Sequence, residues 1–191
     1  MMLQSIIAKE NSSYFQKIMP TLAQRLYTLV KTKNLCPQEK KQIAQLTNEF
    51  KLNFTKLERR ELASVVWAGA KLRETNLVRM SLPFIKDKAH SFNSQDLSLV
   101  AWALSTCQIV PTVKQNICTT PVDKAWTALA NRAPTCLGPH DYRHELRHLS
   151  VATYAFAKAN FADARLVRSL KSLVEGQLRT VGDIGSQNVS N

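Results

Sequence analysis

The chain has 191 residues, of which 45% are hydrophobic and 21% charged, with only 5 glycines and 7 prolines. This composition supplies enough apolar side chains for a substantial core, which excludes general disorder, and its few turn residues disfavour a β fold. Lys and Arg number 26 against 14 acidic residues, and the net charge of +12 favours a polyanionic partner, nucleic acid before an anionic membrane surface.

The N-terminal residues combine a basic composition with helical periodicity. Residues 1–13 are interpreted as an N-terminal extension or part of a transit segment, because residues 1–33 carry five Lys and Arg against the single acid Glu10. An ordinary first helix explains this composition equally well. Apolar residues spaced by three or four predict that helix over 14–33, with Pro20 as a kink or as its true start.

The next stretch predicts four helices separated by proline and capping signals. Pro37 suits a first helical turn, Pro83 interrupts the third of these helices, and Pro111 follows the fourth. Ser94 is the predicted N-cap of the fourth helix, and Asp96 strengthens its first turn. The same apolar spacing predicts their extents as 37–54, 56–73, 76–92 and 94–109.

The C-terminal third is less regular at first and then helical again. After Pro121 we expect a helix over 122–132, followed by a loop around Pro134. Two further helices are predicted over 142–160 and 163–180, and the small, polar residues 181–191 are predicted to form a flexible tail. No run of 18 apolar residues is present, so we expect no membrane span.

The four cysteines are Cys36, Cys107, Cys118 and Cys136. They form no C-x-x-C pair, and a chain of this length needs no disulfide to hold its core. We therefore predict reduced, mostly buried thiols, which fit a cytosolic, mitochondrial or plastid protein better than a secreted one.

A repeated pattern links several of the predicted helices. Leu, a small residue, two or three apolar residues, an aromatic residue and often Lys recur near 57–73, 94–109 and 142–160, with a degenerate copy near 20–33. The aromatic positions are Tyr27, Trp67, Trp102 and Tyr154, which are 40, 35 and 52 residues apart. The first two spacings match one helical hairpin per repeat. Residues 14–180 are therefore predicted to form an all-α domain, a right-handed α-solenoid of helical hairpin repeats.

The segments 62–72, 97–107 and 149–159 resemble the octotricopeptide and heptatricopeptide repeats, and the related helical repeats of FAST-kinase-like proteins. The resemblance implies a non-catalytic protein that binds RNA, either ribosomal RNA or an organellar transcript, beside neighbouring proteins of a ribonucleoprotein assembly. It implies a mitochondrial location, with the plastid as the alternative, and no cofactor. The RAP domain that ends many of these proteins is not found. A protein–protein adaptor in an organellar complex is the alternative function.

One helix face in each copy suggests how RNA would be held. Arg60, Trp67 and Lys71 fall on one helix face, because Trp67 follows Arg60 by seven residues and Lys71 follows Trp67 by four. We predict that the rings stack on bases while the cations meet phosphates. The residues assigned to this role are Lys31, Arg60, Lys71, Arg147, Lys158, Trp67, Trp102 and Tyr154.

The competing interpretation places the same rings in the core. Aromatic residues at a fixed repeat position more often pack between hairpins than stack on bases. Leu99 and Val151 occupy the same columns as the rings and favour burial. Burial is the favoured position for the rings on sequence grounds.

A second motif points to different chemistry. His144-Glu145-x-x-His148 places two histidines four residues apart on a predicted helix, where they could bind zinc beside Glu145 as the general base of a metalloprotease. The longer zincin pattern fails, because Val151 and Tyr154 stand where it requires Gly and His. We therefore expect no metal and no catalytic activity, with His144 and His148 as weak candidate ligands only.

Overall fold

The computed structural model describes residues 22–32, 36–112, 120–137, 142–161 and 163–187, without the side chains of 142–145 and 177–187. All regular secondary structure in these ranges is helical, so the all-α prediction is confirmed at that level. The described ranges hold nine α-helices: α1 (Leu22–Lys31), α2 (Pro37–Asn53), α3 (Arg59–Lys71), α4 (Thr75–Met80), α5 (Leu82–Lys88), α6 (Ser94–Thr106), α7 (Pro121–Cys136), α8 (Tyr142–Lys158) and α9 (Ala164–Gln187). The extension over 1–13, Pro20 and residues 188–191 lie outside the described residues.

The helices pack in two rows. In the first row α1 lies against α3, α3 against α6, and α6 against α8. In the second row α5 lies against α7 and α7 against α9, while α2 contacts α1. The ring of Phe54, just after α2, lies 3.9 Å from that of Phe84 in α5, measured between centroids. None of the helices in the described part is long and apolar enough to cross a bilayer.

The core lies where the two rows meet. Leu62, Leu97 and Leu149, the residues that open the three clear sequence copies, are all buried. Small residues let the helices approach closely. A Cβ at Gly69 would lie 3.1 Å from Leu77 Cδ2, so glycine makes room for α4 to pack beside α3.

Three helices of the first row end in the same way. The residue six positions after each aromatic residue adopts the left-handed backbone conformation, with φ of 62° at Arg73, 54° at Gln108 and 52° at Asn160. The following N–H then donates to a carbonyl five residues earlier, at 2.8, 2.9 and 3.0 Å respectively, which is the Schellman arrangement. Because the three ends share this geometry, α3, α6 and α8 release the chain at equivalent points.

Most of the predicted helices are confirmed, and their ends shift for local reasons. The predicted start of α3 at residue 56 is wrong, because a 3-10 turn over Phe54–Lys56 precedes a capping box formed by Glu58 and Glu61. The N-cap of α6 is Asn93 and not Ser94, since the Asn93 side chain accepts from the backbone N–H of Asp96 at 2.8 Å. The interruption expected at Pro83 occurs at Ser81, two residues earlier, between α4 and α5.

Two helices run further than the sequence predicts. Pro134, predicted in a loop, lies inside α7, because the burial of Ala133, Cys136 and Leu137 holds the last turn against the core. The Arg132 side chain also ties this turn to the Phe92 carbonyl at 2.8 Å. Helix α9 continues to Gln187, past the predicted end at 180.

Trp126 and Asp123 of α7 hold Ile109 and Thr112, which follow α6, against the core. The buried Trp126 indole donates through Nε1 to the Ile109 carbonyl at 2.8 Å, and its ring contacts Phe156 at a centroid distance of 5.4 Å. The Asp123 carboxylate accepts from the Thr112 backbone N–H at 3.1 Å and from the Thr120 hydroxyl at 2.6 Å. Burial alone would raise the pKa of Asp123, but these hydrogen bonds lower it below the ordinary value.

The cysteines follow the prediction only in part. Cys107 is half-buried and Cys136 is buried, and no disulfide joins the described cysteines. Cys36 is exposed, because it sits at the N-cap of α2 on the surface, so it is an exception to the prediction of mostly buried thiols. Cys118 lies outside the described residues.

Candidate nucleic-acid interface

A continuous line of rings and ammonium groups crosses α1, α3 and α6 on the face that the repeat predicts. The Tyr27 and Trp67 rings lie 5.8 Å apart between centroids. The Lys71 ammonium lies 4.7 Å from the Trp102 centroid and 5.8 Å from that of Trp67. Lys31 stands over Tyr27 at 4.7 Å. We call Tyr27, Lys31, Trp67, Lys71 and Trp102 the aromatic–lysine row.

The neighbouring helix α8 repeats the same pairing. The Lys158 ammonium lies 6.0 Å from the Tyr154 ring centroid. In α1, α3 and α8 the lysine follows its ring by four residues, so one helical turn brings each cation over its own ring. Helix α6 has Thr106 at the lysine position, and Lys71 of α3 supplies the cation to Trp102 instead.

The rings are not in the core, so the favoured sequence interpretation is wrong for the tyrosines. Tyr27 is 48% exposed and Tyr154 is 59% exposed. Trp67 and Trp102 are half-buried and pack partly against the core. The reason is that Leu62, Val65 and their neighbours are fully buried, so their side of α3 faces the core and the aromatic column lies toward the outside.

Arg60 and Arg147, the remaining residues predicted to meet phosphate, are both exposed near the starts of α3 and α8. They stand eleven residues before Lys71 and Lys158 respectively, so each lies about three helical turns from the lysine of its own helix. The structure therefore brings together Lys71, Trp67 and Trp102 but keeps these two arginines apart from them. They would extend a phosphate-binding surface and would not share one pocket with the lysines.

A buried carboxyl lies beside the start of α3. Burial raises the pKa of Asp96, against the lowering effects of the hydrogen bond with Asn93 and of the positive charges of Arg59 and Arg60. The Arg59 Nε lies 3.9 Å from the Asp96 carboxylate, and its guanidinium also donates to the Ser91 carbonyl. Arg59 is therefore engaged in joining α3 to the α6 region.

The comparisons with known proteins give no relative. No protein-family model, no curated protein and no solved structure matches the chain.

Of the His and Glu residues of the H-E-x-x-H motif, the structure describes the side chain of His148 only. His148 is half-buried, and its Nδ1 lies 3.1 Å from the Ser94 hydroxyl of α6. The side chains of His144 and Glu145 lie outside the described residues. Where side chains are described, no three His, Cys, Asp or Glu residues cluster in a way that could hold a metal ion. The motif stays a sequence hypothesis.

Two surface features escaped sequence reasoning. An open hollow where α3 and α6 end is lined in part by Arg73, Thr106 and Gln108. An apolar groove of about 520 Å³ between α8 and α9 is lined by side chains that include Phe156 and Leu170. One sequence signal for the hollow was present, since Arg73 and Gln108 each follow their aromatic residue by six positions. The groove had no such signal, because it depends on how α9 packs against α8.

Proposed function

We propose that this chain is a non-catalytic RNA-binding helical repeat protein. The observation that carries the proposal is the aromatic–lysine row, whose members come from three successive helices of the first row and lie within ring-contact distances of one another. The net charge of +12 supports the same partner, because a polyanionic strand gains from each cation that replaces its condensed counterions.

The aromatic–lysine row can bind both the bases and the phosphates of a single strand. Rings that are part-exposed can stack on bases, and sequence-independent stacking is how many proteins hold unpaired nucleic acid. The lysines lie beside those rings, so an ammonium group that leaves its ring can reach a phosphate of the same nucleotide. RNA is proposed before DNA because of the resemblance to organellar RNA-binding repeats.

The two-row packing supports an α-solenoid of helical hairpins. In such a fold each hairpin contributes one helix to each row and contacts only its neighbours. The shared left-handed ends of α3, α6 and α8 support equivalent hairpins at those points. We propose that the protein belongs with the octotricopeptide and heptatricopeptide type of repeat protein. In our proposal it acts in a mitochondrial ribosome or RNA-processing complex, with the plastid as the alternative site.

The test is the binding of a fluorescently labelled single-stranded RNA oligonucleotide to the full chain, followed by anisotropy at several salt concentrations. The variant replaces Lys31, Lys71 and Lys158 by Glu. If each lysine neutralises one phosphate, three contacts at a slope of about 0.7 each correspond to a loss of affinity on the order of a hundredfold at about 0.1 M salt. The slope of log affinity against log salt should fall by about 2.

A matched variant separates a local interface from general charge. Replacing Lys41, Lys51 and Lys124 by Glu makes the same change in net charge on exposed positions of α2 and α7, in the second row. We expect the affinity of this variant for RNA to fall by less than about tenfold, against about a hundredfold for the first variant. Equal losses in the two variants, or RNA binding that is insensitive to both, would refute an interface at the aromatic–lysine row.

The protein–protein adaptor is the second candidate, and the groove between α8 and α9 favours it. The groove is lined largely by apolar side chains and adjoins Val167, which is 52% exposed. Crosslinking in cells followed by nuclease treatment distinguishes the two functions. Recovery of RNA that contacts α3 and α6 supports the main proposal, whereas proteins that stay bound after RNA is removed support the adaptor.

A further inference from the structure

The hollow at the ends of α3 and α6 adjoins the aromatic–lysine row. Its volume is about 570 Å³, large enough for a nucleotide. The described side chains around it include two cations and no acid. They are Ala70, Lys71, Arg73, Thr75, Trp102, Thr106, Cys107 and Gln108.

The two cations suit a phosphate at the rim of the hollow. Lys71 and Arg73 are both exposed. The guanidinium of Arg73 can donate two parallel hydrogen bonds to one phosphate, and Lys71 adds a mobile point charge. Two residues that are two positions apart within a helix point to different sides. Arg73 lies just past the end of α3 in the left-handed conformation, so its side chain borders the same opening as that of Lys71.

Trp102 suits a base. The Lys71 ammonium lies 4.7 Å from its ring centroid, in a position that a stacked base would take over. Base–indole stacking is generally stronger than the attraction of a solvated ammonium to a part-exposed ring. The displaced ammonium then lies close enough to the strand to meet its phosphate. Lys71 thus keeps the Trp102 face occupied until a base arrives.

Thr106 and Gln108 suit the edge of that base. Both are exposed and border the hollow on the side of α6. The backbone N–H of Gln108 already donates to the Ser105 carbonyl at 3.3 Å, so the side-chain amide is the group that can face a ligand. An amide presents a donor beside an acceptor, the pattern that pairs with adenine in two parallel hydrogen bonds.

We infer that this hollow is a nucleotide subsite that prefers adenine. The base stacks on Trp102, its edge meets Gln108 and Thr106, and its phosphate meets Lys71 and Arg73. This inference rests on the proposed function and adds to it a base preference and three residues that the repeat pattern did not assign, namely Arg73, Thr106 and Gln108.

The test exploits the left-handed positions, where glycine fits without strain. Arg73→Gly and Gln108→Gly remove the side chains while favouring the native backbone, and Asn160→Gly makes the same kind of change at the equivalent end of α8, away from the hollow. The probes are labelled oligoadenylate and oligouridylate of equal length, titrated into the full chain. Gln108→Gly should weaken oligoadenylate binding about tenfold and oligouridylate binding far less.

Arg73→Gly should weaken the binding of both probes and lower the slope of log affinity against log salt by about 1, as expected for the loss of one phosphate contact. Asn160→Gly should match the wild type. If the wild type binds both probes with a steep salt dependence but the two hollow variants behave like Asn160→Gly, the subsite is refuted while RNA binding stands. A wild type that binds neither probe refutes both.

The indole N–H signals in an NMR titration give an independent measurement. Trp102 should shift with oligoadenylate, whereas the buried Trp126, whose N–H is held by the Ile109 carbonyl, should stay unchanged. A titration that binds the strand but leaves Trp102 unmoved would refute the stacking.

Discussion

Replacing Trp126 by Phe should show how strongly Ile109, just after α6, is held to the core. The substitution removes the 2.8 Å hydrogen bond from the indole to the Ile109 carbonyl and shrinks a fully buried ring. Losing a buried hydrogen bond while its acceptor stays in place costs about 1–3 kcal/mol. The smaller ring adds about 1 kcal/mol, because it buries less apolar surface and leaves a void.

The two effects together lower the free energy of unfolding by about 2–4 kcal/mol. For a chain of this size each kcal/mol lowers the melting temperature by roughly 2–4 °C, so we expect a decrease of about 4–16 °C. Urea and thermal unfolding followed by far-UV circular dichroism measure both quantities. Trp67→Phe is the matched control, since Trp67 is half-buried in the outer face, and we expect it to cost less than about 1 kcal/mol.

If Trp126→Phe costs no more than Trp67→Phe, the buried indole does not stabilise the core as described. A loss below about 1 kcal/mol in Trp126→Phe would show that the Ile109 carbonyl finds an equally good partner in place of the indole.

Four further predictions concern local structure, pH dependence and metal binding. Gly176→Ala should stabilise the fold by about 0.5–1 kcal/mol in urea unfolding, because its new Cβ meets nothing within 4 Å on α9, whereas Gly69→Ala should give no such gain, because its Cβ presses on Leu77. Asp123 has a lowered pKa, so its stabilisation is present at neutral pH and lost as pH falls through the acid range. The wild type should therefore exceed Asp123→Asn in free energy of unfolding at neutral pH, and this difference should shrink below about pH 4. A difference that grew below about pH 4 would show that the pKa of Asp123 is not lowered. Asp96 has a raised pKa, so Asp96→Asn should instead gain on the wild type as pH rises, and a loss with rising pH would show that burial does not dominate at this carboxyl. Elemental analysis of the purified chain should find no stoichiometric zinc; zinc that is present and is lost in His144→Ala would restore the metalloprotease hypothesis.

The helices could be predicted from the sequence because their signals are local. The spacing of Leu62, Val65 and Gly69 predicts one apolar face on α3, and the same spacing around Trp102 predicts the apolar face of α6, so each helix and its apolar face follow without coordinates. That Lys31 and Lys158 stand over rings four residues earlier is equally local.

The rest depends on contacts between distant residues. Whether the rings face the core or solvent depends on which side of the first row the second row covers, and periodicity alone does not distinguish the two. The contact between Lys71 and Trp102 joins neighbouring helices across 31 residues of sequence. The left-handed ends carry Arg73, Gln108 and Asn160 in place of the glycine that would have signalled them. Pro134 stays helical only because the residues around it are buried.

The matching ends of α3 and α6 make the chain extensible. The two helices start at Arg59 and Ser94 and reach their left-handed residues at Arg73 and Gln108, an offset of 35 residues in each case. A second copy of residues 59–93 placed after Asn93 would therefore meet the same kind of junction on both sides. It would add one more helix of the α3 type, with its own tryptophan and lysine. Under the proposed function, the footprint on a bound strand should grow in step.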